Sequence, residues 1–260
     1  MKELLYGRNP IYECLRAARR DVSQLSIATG VQEKGILSAT LRLAQQRRIP
    51  IQRLDRRQLD KAIKNANHQG IVAEVSDYPY ANLEAIFRLA QERHEPPWLL
   101  LLDCLQDPQN LGTLLRTAEI IGVHGVVIPD RRAAAVTPAV ASASSGASEH
   151  LLVAQVTNLV QTMKALKARD MWIAGLEDEP DAELLWQASL DGPLALVVGS
   201  EGSGMRRLVK DTCDLKIRLP MVGQINSLNA AVAGSIALYE IAHQRKRKFE
   251  PGQTLSPDDQ

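Results

Sequence analysis

From Trp98 onward, short apolar runs alternate with helical periodicity, and this alternation narrows the folds open to the chain more than any other feature. WLLLLDC (98–104), GVVIP (125–129), MWIAG (171–175), LALVVG (194–199) and LKIRL (215–219) read as strands. A strand with one wet face alternates apolar and polar residues, whereas a strand covered on both faces does not need to. Segments 110–121, 157–169 and 203–212 between them have helical spacing. The pattern predicts an α/β fold in which a parallel sheet carries helices on both faces. The small-residue stretch AAAVTPAVASASSGAS (133–148) predicts one more tightly packed helix.

The front of the chain reads differently. LSIAT (25–29) and GIVAEVS (70–76) are strand-like and flank a helical ILSATLRLAQQRR (36–48), which predicts a small α/β domain over residues 1–77. A Pro-bounded linker with one amphipathic helix follows over 78–97, then the main domain over 98–244 and a basic, polar tail over 245–260. Residues 1–77 hold 14 Lys+Arg against 8 Asp+Glu, a net +6, whereas the remainder holds 17 against 22, a net −5. A basic front on a slightly acidic body suits an anionic partner. Arg8, Arg19, Arg20, Arg47, Arg48, Arg56 and Arg57 are the candidate contacts, each of which serves equally well as a solvated surface charge.

Several classes are disfavoured. No apolar run reaches the roughly 18 residues of a membrane span, and MKELLYGRNP lacks the apolar stretch of a secretory signal. Cys14, Cys104 and Cys213 are odd in number and widely spaced, which suits neither a disulfide framework nor a metal site and predicts a cytoplasmic protein without a metal. With only 4% aromatic residues, base-stacking platforms are scarce.

Three stretches carry chemistry. The first is VVGSEGSGM, a strand running into a turn with Gly199, Gly202 and Gly204. A phosphate-binding P-loop needs GxxxxGK[ST], and a dinucleotide fingerprint needs GxGxxG early in a βαβ unit; neither is present. Glu201 in this turn favours a cationic or hydrogen-bond-donating ligand over a polyphosphate. The second is DPQNLGTLLRTAEIIG (107–122), a helix carrying Asn110 and Arg116. Arg116 is either a stem reaching solvent or a fork for a phosphate or developing oxyanion. The third is IRLPMVGQINSLNAAVAGSIALYEIA (217–242), where Asn226 or Ser227 can cap a long helix with Leu228, Val232, Ser235 and Tyr239 along one face. Small residues elsewhere on that helix suit a buried interface, including one with a second copy of the chain. Ser227 and Asn229 serve either as caps or as ligand contacts.

Taken together, NLGTLLRTAEIIG, VVGSEGSGM and IRLPMVGQINSLNAAVAGSIALYE resemble, in order and spacing, the SpoU-type (TrmH-like) branch of the SPOUT methyltransferases. YGRNPIYECL and HQGIVAEV resemble the two ends of the ribosomal-protein-like RNA-binding domain of many members. The resemblance is closest to the 23S rRNA guanosine 2′-O-methyltransferases. It implies a deep trefoil knot at the C-terminal end of the fold, S-adenosylmethionine as cofactor, a homodimer, and RNA rather than DNA or membrane as partner. It also implies cofactor contacts at Gly199, Leu219 and Leu228, with Glu201, Gly202, Met221 and Ser227 around them. Arg116 corresponds to the catalytic arginine; a guanidinium holds its proton too tightly to be a good literal base, so its implied role is to clamp a phosphate and the nascent alkoxide. Asn110 orients Arg116 or the ribose, and Glu201, Ser227 and Asn229 organise the pocket. A tRNA ribose methyltransferase and a non-catalytic RNA-binding factor on the same scaffold remain the alternatives.

Overall fold

A computed structural model describes residues 2–245 apart from 65, 203 and 226. Beyond Arg245, the tail expected over 245–260 lies outside the described residues, as does Asn226.

The chain divides into two compact units. The first is built from β1 (Lys2–Tyr6), α1 (Arg8–Ala17), β2 (Val22–Ala28), α2 (Ile36–Gln46), β3 (Ile51–Leu54), α3 (Arg56–Ala62) and β4 (Ile71–Ser76). Its sheet runs β1-β4-β2-β3; β4 is antiparallel to both neighbours and β2 and β3 are parallel. α1 and α2 bury Ile11, Leu15, Leu37 and Leu41 against Leu5, Leu25, Ile27 and Ala73 on one face. The short α3 covers the other face with Leu59 and Ile63.

The second unit begins with α4 (Leu83–Glu92), β5 (Trp98–Leu102), α5 (Pro108–Ile120) and β6 (Gly125–Pro129). Next comes α6 (Pro138–Ala143), which belongs to the first unit, as does all of 136–150. β7 (Val153–Val156), α7 (Leu159–Lys167), β8 (Trp172–Leu176), β9 (Glu183–Leu184), β10 (Leu194–Val198), α8 (Arg207–Lys210), β11 (Leu215–Arg218) and α9 (Ala230–Gln244) complete the second unit. All seven strands are parallel, in the order β7-β6-β5-β10-β8-β11-β9. Every residue of β5, β6 and β10 is buried, as their unbroken apolar sequence requires.

The domain boundaries differ from the sequence expectation at two places. The amphipathic helix expected in the 78–97 linker is present as α4, but it belongs to the second unit: Ile86 and Ala90 are buried, and Ile86 joins Leu99, Leu101 and Met163 in that unit's core. Residues 136–150, read as part of the main domain, pack on α1 and β1 instead. Gly146 lies so close to α1 that an added Cβ would stand 2.7 Å from that of Glu13 and 3.1 Å from the Asn9 carbonyl. Buried Arg20 pairs with Glu3 and, at 3.4 Å, with buried Glu149, while its Nε donates to the Ser76 carbonyl at 2.9 Å. Arg19 donates to the carbonyls of Glu149 and Pro79. These two arginines hold the unit together rather than facing a polyanion, whereas Arg47, Arg48, Arg56 and Arg57 are exposed.

Candidate active site

The strand order of the second sheet creates a crevice. From β5 the chain builds outward through β6 and β7; β10 then inserts on the opposite side of β5, beside β8. Open parallel sheets bind ligands where the order reverses, beyond the C-terminal ends of the strands. The loops that leave β5, β8, β10 and β11 at those ends contain all three stretches singled out from the sequence.

The glycine turn after β10 is a tight hairpin with no cradle for phosphate. Ser200 and Gly204 exchange two backbone hydrogen bonds, at 3.1 and 3.0 Å. Gly199 is pressed against the returning chain: an added Cβ would stand 2.3 Å from the Gly204 carbonyl carbon and 2.4 Å from the Met205 nitrogen. Gly204 has φ +64° and faces Glu177, whose Oε1 would lie 2.7 Å from an added Cβ. Closure of the hairpin leaves Glu201 and Gly202 exposed at its tip. It also consumes residues expected to be helical, so α8 spans only Arg207–Lys210 of the predicted 203–212.

α5 starts where Asp107 accepts the Gln109 N–H at 3.1 Å, with Pro108 in the first turn. Leu111, Leu114, Leu115 and Ala118 are buried, whereas Arg116 and Ile120 are exposed. α9 is capped by Asn229, not by Ser227: the Asn229 Oδ1 accepts the N–H groups of Ala231 at 2.9 Å and Val232 at 3.1 Å. Gly234 lets α9 approach closely, since an added Cβ there would meet Leu114 Cδ2 at 2.7 Å and Val198 Cγ2 at 3.2 Å. Thr117 and Ser235 join the two helices through their hydroxyls at 2.9 Å.

These loops meet through amides. Asn229 Nδ2 donates to Asn110 Oδ1 at 3.0 Å, and Asn110 Nδ2 donates to Glu201 Oε1. One polar chain therefore runs from the N-terminus of α9 through the first turn of α5 to the tip of the glycine hairpin. Beside it opens a cavity of about 370 Å³. Its walls include all seven candidate cofactor contacts: Gly199, Glu201, Gly202, Leu219, Met221, Ser227 and Leu228. Asn110 and Asn229 reach the cavity through Glu201, and Arg116 stands on the exposed side of α5, outside the walls.

Sequence reasoning missed Glu177 and Asp178, which follow β8 and also line the cavity. Two acids directly after a buried strand were the available signal. The charged lining is thus Glu177, Asp178 and Glu201 against Arg218, whose Nε donates to the Ala182 carbonyl at 3.1 Å. Such a wall favours a ligand with positive charge and amino donors. Among the described residues, no cluster of His, Cys, Asp and Glu is fit to hold a metal, and no helix is long and apolar enough to cross a membrane.

A doubly covered parallel sheet, with a cavity beyond the C-terminal ends of β8, β10 and β11 whose charged lining is mostly acidic, defines an α/β protein built around a ligand site. Residues 97–239 match the SpoU rRNA Methylase family, and residues 4–81 match the module described as RNA 2′-O ribose methyltransferase substrate binding. The TrmH family tRNA/rRNA methyltransferase YacO of Bacillus subtilis, itself named at family level, is 43% identical over 245 residues, covering 94% of this chain and 96% of the relative. A Staphylococcus aureus relative of the same description is 40% identical over 93% of this chain and 96% of its own length. The solved SpoU methyltransferase AviRb of Streptomyces viridochromogenes has the same fold, with a TM-score of 0.78 at 24% identity over 94% of this chain and 90% of that one. AviRb has also been solved in complex with AdoMet. The chain belongs to the SpoU rRNA Methylase family and is an RNA methyltransferase of the SpoU/TrmH type.

Proposed function

We propose that this protein is an S-adenosylmethionine-dependent methyltransferase acting on a ribose 2′-hydroxyl in RNA, with a guanosine of 23S rRNA as its target, and that it works in the cytoplasm as a homodimer. The observation that carries this reading is the Asn229–Asn110–Glu201 chain at the rim of an acidic cavity. The cavity chemistry fits S-adenosylmethionine: Asp178 and Glu201 join the lining of a site for a ligand that carries a sulfonium and an ammonium, while Glu177 is paired with Lys210 and the Met205 N–H, and Gly199 and Leu219 line the same walls. When bound, that cofactor supplies an electrophilic methyl group.

The chain's own residues must meet the remaining needs of the reaction. A ribose hydroxyl is a weak nucleophile at neutral pH, so it must be aligned and must lose its proton as it attacks. The Arg116 guanidinium clamps the neighbouring phosphate and stabilises the developing alkoxide, and the proton leaves to that phosphate or to water. Asn110 and Glu201 fix the rim of the pocket, and Ser227 lines it. The match of residues 4–81 to a substrate-binding module supports RNA docking through the basic first unit.

A homodimer is supported by the outer face of α9. On it Val232, Ile236 and Tyr239 are each 44–46% exposed, as is Leu228 just before the helix, and Ile120 of α5 is 58% exposed. The deep knot implied by the resemblance belongs to the same proposal; the return of α9 onto α5 and β10 beside the 219–229 loop supports it. The shared tRNA/rRNA description of the relatives keeps tRNA as the second reading. The test is nucleotide-resolution mapping of 2′-O-methylation on rRNA and tRNA after incubation with protein and labelled S-adenosylmethionine. A single modified 23S guanosine is expected. A tRNA site corrects the substrate, and labelled RNA with unmodified sugars overturns the ribose assignment.

A further inference from the structure

β10 leaves the sheet between β5 and β8, and each neighbour sends one carboxylate to the segment that follows. Glu177, directly after β8, accepts the Met205 N–H through Oε2 at 3.3 Å and lies 3.2 Å from Lys210 Nζ through Oε1. Asp103, directly after β5, is fully buried. Its Oδ2 accepts the Arg206 N–H at 2.7 Å, and its Oδ1 accepts Nε and Nη2 of the same arginine, each at 2.7 Å. Two consecutive peptide N–H groups are thus held by carboxylates from opposite sides of β10.

Burial makes the Asp103 contact strict. A carboxylate out of water requires donors, and here Arg206 supplies three of them, with the neighbouring Cys104 thiol beside it. Wherever Asp103 is fixed by the end of β5, Arg206 must follow. Asp103 opens the stretch that leads to Asn110, and Arg206 closes the stretch that begins at Glu201. The Asn110–Glu201 hydrogen bond joins the far ends of the same two stretches. Asp103 is absent from the cavity walls, so its effect on chemistry must pass through Arg206.

We propose that Asp103 is a positioning residue of the methyl-transfer reaction: by holding Arg206 it sets the register between the Asn110 and Glu201 loops. This rests on the reading that Asn110 and Glu201 shape the transfer site. Asp103→Asn turns an amide N–H toward groups that only donate. Arg206→Met keeps the backbone N–H bond to Asp103 and removes the guanidinium, and Arg206→Lys restores a cation in its place.

The experiment uses full-length protein, total rRNA as acceptor and saturating labelled S-adenosylmethionine, with rates read in single turnover and folding read by thermal melting. D103N is expected to slow transfer by about 30-fold or more, R206M by about 5- to 10-fold, and R206K by less than R206M. Residues that act as one unit are not additive, so D103N in an E201Q background should cost no more than about twofold further. A purely structural Asp103 would lower the melting temperature, and its rate loss would multiply with that of E201Q; that result overturns the proposal. D103N at the wild-type rate overturns it as well. Should D103N fail to fold, R206M at the wild-type rate has the same force. No transfer to RNA by the wild type, or an E201Q variant at full rate, overturns instead the reading of the site on which this proposal stands.

Discussion

Asn229 donates its amide to Asn110 at 3.0 Å while its carbonyl oxygen caps α9 through the N–H groups of Ala231 and Val232. One side chain therefore serves both the fold and the site, and a single substitution separates the roles. Aspartate keeps both capping bonds and adds a charge favoured at a helix N-terminus. It removes the only donor Asn229 offers to Asn110. Asn229→Asp should therefore leave the melting temperature unchanged or higher while slowing methyl transfer by about tenfold or more. Asn229→Ala should lose the cap as well, at about 1 kcal/mol. Full activity in the aspartate variant would reduce Asn229 to a helix cap.

Arg116 stands on the exposed side of α5, away from the cavity walls. Its removal should therefore spare cofactor binding. Arg116→Ala is expected to hold the calorimetric affinity for S-adenosylmethionine within about twofold while lowering single-turnover transfer by about 100-fold or more, the range for losing one charge-stabilising donor. Equal rates for variant and wild type would remove Arg116 from the reaction.

Gly199 and Gly202 belong to the same hairpin but tolerate side chains differently. A Cβ at Gly199 would stand 2.3 and 2.4 Å from backbone atoms that cannot swing aside, whereas one at Gly202 meets nothing within 4 Å. Gly199→Ala should spread the hairpin and abolish cofactor binding; Gly202→Ala should bind within about threefold of wild type. Calorimetry on the two variants decides, and equal affinities would contradict the hairpin geometry.

Arg20 is the buried cation of the first unit, and Glu149 is its buried partner. Burial pushes the Glu149 carboxyl above its ordinary range, with Arg20 opposing that rise. Arg20→Met leaves a buried carboxylate uncompensated and should destabilise the unit by about 3–5 kcal/mol at neutral pH, read by denaturant unfolding. A carboxyl whose folded pKa is raised binds protons more tightly in the native state, so its stability contribution is lost as pH rises through that pKa. The deficit of R20M relative to wild type should accordingly shrink as pH falls toward 4.5, the ordinary carboxylate value. A deficit independent of pH would show that Glu149 is not the group exposed by the change.

Much of the main sheet was legible because strands buried on both faces leave unbroken apolar runs; β5, β6, β8, β10 and β11 fall within a residue or two of their predicted spans. β7 and β9 were missed: VAQV is only four residues long with Gln155 interrupting its apolar run, and EL is two residues long with no pattern of its own. α6 was legible as a helix but not as part of the first unit, because small residues report close packing without naming the surface they pack on. The residues around the cavity were legible through three stretches with unusual Gly, Asn and Glu content. Asp103 and Glu177 were not, since an acid after a strand has no signature until the fold brings Arg206 and Met205 to it. The cap of α9 stayed open for a related reason: Asn226, Ser227 and Asn229 are equivalent on composition, and only the chain path shows that the Asn229 oxygen meets the first free N–H groups.

Val232 occupies the centre of the exposed α9 stripe between Leu228 and Ile236. Three large apolar side chains on one helix face, Val232, Ile236 and Tyr239, with Leu228 just before the helix, are the kind of surface that a second copy of the chain covers. Val232 also lies in the first turn of α9, where a carboxylate is favoured by the helix dipole. Val232→Glu should therefore spare the fold while placing a charge in the middle of the proposed interface. Light scattering after gel filtration is expected to give a dimer for the wild type and a monomer for the variant. Methyl transfer should fall by about tenfold or more with the dimer if the transfer site draws on both subunits. A wild-type monomer, or a V232E dimer with full activity, would remove this face from the assembly.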